Sequence, residues 1–483
     1  MAGFSPDLEP STQGISTDCT AFIPSLKGMK AASSEQSTSL PALAAACQGA
    51  SSNQNTDGTL RFFAGTATKL YEAGSSSWTD VSRAVGGAYT TAVDGRWRFS
   101  QYGNVALATN LADSLQYSVT SGAFANVTGT PKGAVIDTAV SFVLLGNYND
   151  GSAVPNGIWW SALGDYTSWT PSAATQAGKA LITQTPGQIT ALRALGDNVV
   201  VYKNNSMYLG QYQGSPLLWT FSLVSSETGT PCQETVVPIT TADGGFVHYF
   251  MGSNDFYSYN GALPTRIGTP IREYVFGRIN NAYAYKSVAV HDPVNTIIYF
   301  FYPSTGATSP DSCVVYNYKS NRWGVDDRSI EFACQYVTGG YTYSTLTSTF
   351  VTYSGLPSVS YGSPFWLSTN TVPCIFNTSH LLKTLTGAPG NWSVTLGDVG
   401  DDAQFSLLKR VRPRWITRPS SATLTPYYKF DSGDTLTANG SSTMSTGHFD
   451  LLQESRWHRV KIDGSGTAEI AKMEYEVVRS SDE

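Results

Sequence analysis

SCVVYNYKSNRWGV, residues 312–325, is an apolar run, a short polar turn and then a tryptophan that opens a second apolar run. β-branched and aromatic residues suit a pleated, half-buried surface, so the stretch reads as a β-hairpin with Lys-Ser-Asn at its turn. The arrangement recurs in KLYEAGSSSWTDVS (69–82), LQYSVTSGAFANV (115–127), IWWSALGDYTSWTPS (158–172), MYLGQYQGSPLLWTFSL (207–223) and FYSYNGALPTRIG (256–268). With Leu70, Leu115, Trp159, Tyr208, Tyr257 and Tyr316 as marks, successive copies lie 45, 44, 49, 49 and 59 residues apart. That loose period is the spacing of four-stranded propeller blades.

The segments between these hairpins supply the other strands a blade needs. WRFSQYGNVALATN (97–110), ITALRALGDNVVVYKNN (189–205) and KSVAVHDPVNTIIYFFYP (286–303) each read as two strands joined by a tight Gly-Asn, Gly-Asp or Asp-Pro-Val-Asn turn. An isolated hairpin is marginal in water, so neighbouring blades must cover one another's faces. Bulky aromatics at the outer turns fill the wedges between diverging sheets, and Trp78, Trp169, Trp219 and Trp323 are assigned that packing role. The longer last step contains TPIREYVFGRIN (269–280), with Thr269 placed as an N-cap, Pro270 in the first turn and Ile271, Tyr274, Val275 and Arg278 at helical spacing, which predicts a short helix bridging two blades. Six blades are expected; EFACQYVTGGYTYSTLTSTFVTYSG (331–355) either completes the sixth or begins a seventh.

Composition agrees with an all-β chain. Of 483 residues only 14% are charged, against about 25% in an average soluble protein, and the net charge of −6 is too weak and too spread to grip nucleic-acid phosphates. Residues 1–58, rich in Ser, Pro, Ala and Gln, read as an extended arm, and the apolar residues of TAFIPSLKGM and LPALAAACQGA predict that it is pinned against a neighbour. Residues 59–355 form the irregular β-propeller. From 356 to 483 the pattern changes to alternating strands such as FSLLKRVRPRWITRP (405–419) and TAEIAKMEYEVVRS (467–480), which predict a β-sandwich or platform domain. On one of its strands Arg410, Arg412 and Arg414 share a face, expected to be a solvated or subunit-facing row because Pro413 interrupts it and no basic surroundings make a phosphate groove.

Catalytic and metal signatures are missing. Cys19, Cys47, Cys232, Cys313, Cys334 and Cys374 are scattered without C-x-x-C spacing, as expected of buried free thiols in a chain made in a reducing cytoplasm. The five histidines form no ligand-spaced pair, and no nucleophile elbow or phosphate loop occurs. Propellers can host glycosidases, whose two carboxylates face across a pocket; Asp243 and Asp292 are candidates, but turn chemistry explains each. The acidic clusters 397–404 and 429–434 lack the oxygen-ligand spacing of a calcium loop. No cofactor is expected. The first residues lack a basic and apolar leader, and the longest apolar runs are of strand length, so neither a secretory signal nor a transmembrane segment is expected.

Taken in order, RFFAGTATKLYE, SWTDVSR, WRFSQYGNVALATN, GQITALRALGDNVVVYKNNSMYLGQY, the Asp-Pro-x-x-Asn turn with VVYNYKSNRW, and the terminal FDLLQESRWHRVKI and AEIAKMEYEV make the chain resemble the tail hub or nozzle proteins of short-tailed bacteriophages. The resemblance runs over most of the 483 residues. It implies a structural virion protein without catalytic residues, assembled in the host cytoplasm into a six-fold homo-oligomeric ring. That ring would sit below the head-to-tail adaptor protein and carry the tail needle or tip and the tailspikes or fibres, and genome DNA would leave through its lumen without sequence-specific binding. The alternative reading is a glycan-binding or glycan-hydrolysing propeller.

Overall fold

The computed structural model describes residues 1–241, 243–338 and 370–481. Six blades lie where the six hairpins put them. Each is a four-stranded antiparallel meander: blade one runs from Gly49–Gln54 to Trp78–Asp80, blade two from Arg98–Tyr102 to Ala125–Asn126, and blade three from Lys132–Ala139 to Gly178–Leu181. Blade four runs from Ile189–Leu195 to Leu218–Ser225, blade five from Val236–Thr240 to Thr265–Arg266, and blade six from Val288–Asp292 to Arg322–Val325. The alternative left open after residue 331 falls to a further blade. Ile330–Thr338, Asn370–Asn377 and Leu382–Gly387 pair in sequence, and Ser34–Ser37 supplies the fourth strand. First strands touch in a closed cycle, with Ile330–Thr338 against Gly49–Gln54, so this seventh sheet completes the ring. The rest of the 331–355 segment lies outside the described residues.

Local chemistry explains the meander at the founding hairpin. Asn317 turns the chain by accepting from the backbone of Lys319 (3.0 Å) and Ser320 (2.9 Å), and Asn321 takes a left-handed φ of 51°, which asparagine tolerates better than most residues. The neighbouring strand Ile297–Tyr302 is buried at all six positions because blades cover both of its faces. Ile298, Phe300, Val314 and Tyr316 face one core while Tyr299, Phe301, Cys313 and Val315 face another, as the period of two requires.

The two ends of the chain depart from the expected division. Residues 49–54, assigned to the arm, are the innermost strand of blade one, and 370–387, assigned to the platform, belong to blade seven. The arm is pinned, but within its own chain. Ile15–Thr20 pairs with Asn391–Leu396 in one sheet of the C-terminal sandwich, and the hairpin Phe22–Pro24/Met29–Ala31 bridges blade six to the other. The result is a nine-stranded sheet that runs from Val288–Asp292 through Arg322–Val325, the N-terminal hairpin, Glu469–Ser481 and Phe405–Thr417 to the edge strand Phe449–Ser455. One hydrophobic core follows it, joining Phe256, Phe300 and Trp323 of the propeller to Phe22, Trp392, Val411 and Ile462 of the sandwich.

The predicted helix is present as Arg272–Phe276, with Ile271 and Val275 fully buried. Its cap differs from the expectation of Thr269. No side chain of the local sequence caps it; Asp7 of the arm accepts from the backbone N–H groups of Glu273 and Tyr274 instead. A carboxylate there satisfies two orphan donors and complements the helix dipole, so the arm and the inter-blade helix hold each other.

Candidate functional site: the closed propeller axis and the platform face

A buried ion pair stands among the inner strands of the propeller. The segment preceding blade five folds into a single 3-10 turn, Gln233–Thr235, whose residues are buried. Glu234 meets Arg98 of blade two at two points, Nε to Oε1 at 2.8 Å and Nη2 to Oε2 at 3.0 Å, and Arg98 Nη1 also donates to the Ala134 carbonyl at 2.8 Å. Gln233 donates to the Ile136 carbonyl of blade three (2.9 Å) and accepts from Leu192 N of blade four. Cys232 Sγ lies 3.1 Å from the Ser287 carbonyl, at the entry to blade six. A six-residue stretch, 230–235, is thus tied to four blades besides the fifth, into which it leads.

Burial alone pushes the Glu234 carboxyl up, but the charge of Arg98, its hydrogen bond and the more distant Arg96 outweigh this and hold the carboxyl below its ordinary value. The pair stands between two cavities. One, of about 360 Å³, is bordered by Arg96, Arg98, Asn147, Gln188 and Tyr285. The other, of about 330 Å³, is bordered by Ser51, Arg193, Glu234, His291, Cys334 and Gln335. Only the Nη2–Oε2 contact is a hydrogen bond; Nε and Oε1 face each other at ion-pair distance without hydrogen-bond alignment, so the pair is a buried charge contact that ties blade two to the segment before blade five.

The arginine row lies on the outer face of Phe405–Thr417. Arg410 pairs with Asp450 at 2.6 Å and Arg414 with Glu474 at 2.6 Å, while Arg412 stands opposite Glu474 in the strand register. Carboxylates from both flanking strands therefore compensate the row, and the face carries mixed charge up to the open edge at Phe449–Ser455. Of the four tryptophans, Trp169 lies in a core shared by blades two and three, and Trp219 between blades three and four, 5.8 Å from the Phe142 ring. Trp323 lies between blades five and six, 4.9 Å from Phe256, and half-buried Trp78 lies 6.1 Å from Phe376 of blade seven.

The residues weighed for catalysis do not converge. Asp292 is buried and spent on its turn, accepting from Val294 N, Asn295 N and Asn295 Nδ2, whereas Asp243 is exposed in a separate turn. In the acidic clusters, Asp398 is held by Arg459 (2.6 Å) and Lys429 (3.0 Å). No group of three or more metal-ligating side chains occurs among the described residues.

One arrangement escaped sequence reading. Ser406 Oγ lies 3.0 Å from His458 Nε2, whose Nδ1 lies 2.9 Å from Gln453 Nε2, and all three residues are buried. Gln453 Nε2 also donates to the Tyr427 carbonyl, which fixes the amide and makes His458 Nδ1 an acceptor. The imidazole proton then sits on Nε2 and points at the serine, the reverse of what a general base needs. This is a core hydrogen-bond chain, and only strand pairing between 406 and 455 brings its members together.

Neither a family model nor a curated protein matches the chain. Solved structures similar to it include YCF48 bound to D1 peptide, at 10% identity over 75% of this chain and 97% of that one, with a TM-score of 0.38. The computationally designed Ika8 protein matches at 7% identity over 73% and 100% of the two chains (TM-score 0.36). The Neurospora crassa Pan2 WD40 domain matches at 9% identity over 72% and 89% (TM-score 0.39). The propeller architecture itself rests on the strand pairing described above.

Proposed function

We propose that this chain is a structural virion protein, a tail hub or nozzle subunit of a short-tailed bacteriophage, acting by assembly and not by catalysis. The observation that carries the reading is the continuous sheet and core joining propeller to sandwich, because a ring that holds a plug and opens on a distal contact needs subunits that move as single bodies. The closed axis is in keeping with it: DNA would pass through the lumen between subunits and not through any one propeller. Head-to-tail ring contacts then fall to the protruding sandwich, with its compensated Arg410–Arg414 face, since the N-terminal arm is consumed within its own chain. The adaptor would lie above the ring, and the needle and the spikes or fibres would attach below and around it.

The test is the copy number of this chain relative to the portal protein in purified particles, by quantitative mass spectrometry. A closed ring of about six copies supports the hub; absence from the particle, or a count of tens to hundreds, overturns it. A glycan array tests the alternative reading in parallel.

A further inference from the structure

We propose that Cys334 and Cys374 form a reversible dithiol site that small hydroperoxides oxidise to a disulfide. The two residues are direct cross-strand partners in the antiparallel pair that founds blade seven, and their sulfurs lie 3.3 Å apart. Facing residues in an antiparallel pair have Cα atoms about 4.5 or 5.5 Å apart, within the range a disulfide spans. Closing the sulfurs to about 2.05 Å takes side-chain rotation without moving either strand. Cys374 Sγ also lies 3.2 Å from the Cys334 carbonyl oxygen, and what sets the pair apart is its second sulfur: the other four thiols contact carbonyl oxygens, Cys19 that of Phe22, Cys47 that of Gly49, Cys232 that of Ser287 and Cys313 that of Val314.

Access selects the first thiol to react. Cys334 is the one cysteine of the six that is not fully buried, and it borders the axial cavity of about 330 Å³. In the first step its thiolate attacks a peroxide oxygen, the O–O bond breaks, hydroxide leaves and a sulfenic acid forms. Cys374 then attacks that sulfur as its thiolate and displaces the hydroxide. Two thiols and one hydrogen peroxide give one disulfide and two waters, with two electrons passing from sulfur to peroxide. Burial pushes the Cys334 thiol well above its ordinary value, so the reaction quickens as pH rises. The bond would fasten the inner strand of the blade that the N-terminal strand Ser34–Ser37 closes, the seam of the ring. This inference stands apart from the tail reading and would hold for a propeller of any function.

The test treats the native full-length protein with hydrogen peroxide at pH 8, then alkylates it in denaturant and maps the peptides by mass spectrometry. The expected result is a fall from six free thiols to four, with one Cys334–Cys374 crosslink that a dithiol reductant reverses. Cys374→Ser should trap the intermediate, raising dimedone labelling of Cys334 by about tenfold or more. Six persisting thiols, a different pairing, or passage of Cys334 to sulfinic acid without a crosslink would overturn the proposal, and the wild-type measurement decides even if the variant misfolds.

Discussion

Glu234 survives inside the axis because Arg98 offers an opposite charge and a hydrogen bond from Nη2 where little water reaches, the side chains being 7% and 15% exposed. Replacing it by glutamine keeps the shape and strands the guanidinium. Glu234→Gln should therefore lower the unfolding free energy by about 3 kcal/mol in urea titrations, and part of that loss should return when Arg98 is also made methionine. A change below about 1 kcal/mol would mean that the pair behaves as a solvated one. His248 poses the same problem without a counter-charge. Fully buried, with Tyr202 Oη 2.9 Å from Nδ1 and the Ala194 carbonyl 2.8 Å from Nε2, it is pushed down to about 4, chiefly by desolvation. His291 is likewise pushed down to about 4 by burial. Between that value and the ordinary 6.5 the unfolded chain binds protons that the folded one refuses, so the histidines' contribution is complete above 6.5 and is lost as pH falls toward 4. Asp326, raised to about 6 by burial, works in the opposite sense, contributing at acid pH and losing that contribution as pH rises through 6. His248→Asn, which retains an acceptor and a donor, should flatten the dependence of unfolding free energy on pH between 4.5 and 6.5 by about 1.4 kcal/mol per pH unit; parallel wild-type and variant curves would refute the assignment.

Blades pack through aromatic wedges, and each wedge needs a seat. Trp97, ahead of blade two, is 1% exposed and donates from Nε1 to the Thr66 carbonyl at 2.8 Å. Its ring lies over Gly65 of blade one, where a Cβ would come within 2.3 Å of the indole, and its backbone carbonyl lies over the facing Gly49. Gly65→Ala should cost about 1–3 kcal/mol by overpacking, whereas Gly440→Ala, with open space around it and no left-handed backbone, should be close to neutral in the same chemical denaturation. Equal midpoints would show that the seat can yield. Such seats also mark how far the sequence could be read. The six hairpins were legible because strand, turn and strand are neighbours in the chain, and period-two patterning and turn residues are local signals. The glycine seat was not, because it joins residues of separate hairpins. The pairing of Ser34–Ser37 with Leu382–Gly387 leaves no local mark at all, since its partners stand some 350 residues apart. The axial pair was equally hidden: in TPCQETVVPIT (230–240) Gln233 and Glu234 look like any polar turn before a strand. Asp7 capped the bridging helix from so far upstream that Thr269 was the natural local choice.

At the scale of the molecule, the hairpin that betrayed the fold is also where the propeller meets the platform. Its last residues, Trp323, Gly324 and Val325, form the strand on which the N-terminal segment docks, with Val325 facing Phe22. Gly324 makes that approach possible, because a Cβ there would lie 2.6 Å from the Phe22 carbonyl oxygen and 2.8 Å from Ile23 Cα, both backbone atoms. Shared cores unfold together, and this one runs from Phe256 and Phe300 in the blades to Trp392 and Ile462 in the sandwich. Wild-type protein should therefore lose propeller and sandwich structure in one calorimetric transition, coincident with its tryptophan fluorescence change. Valine at position 324 suits the strand it sits in but pushes the N-terminal hairpin away, cutting the nine-stranded sheet at its one joint between the two bodies. Gly324→Val should then split the transition in two, with the sandwich melting first because it loses Phe22 and Met29 from its core while six of the seven blades keep all their strands. Two separate transitions in the wild type, or a single unshifted one in the variant, would mean that the bodies are coupled elsewhere or not at all. A subunit that passes a distal contact to a ring as one rigid body requires the first pattern, so the melting experiment bears on mechanism as well as on stability.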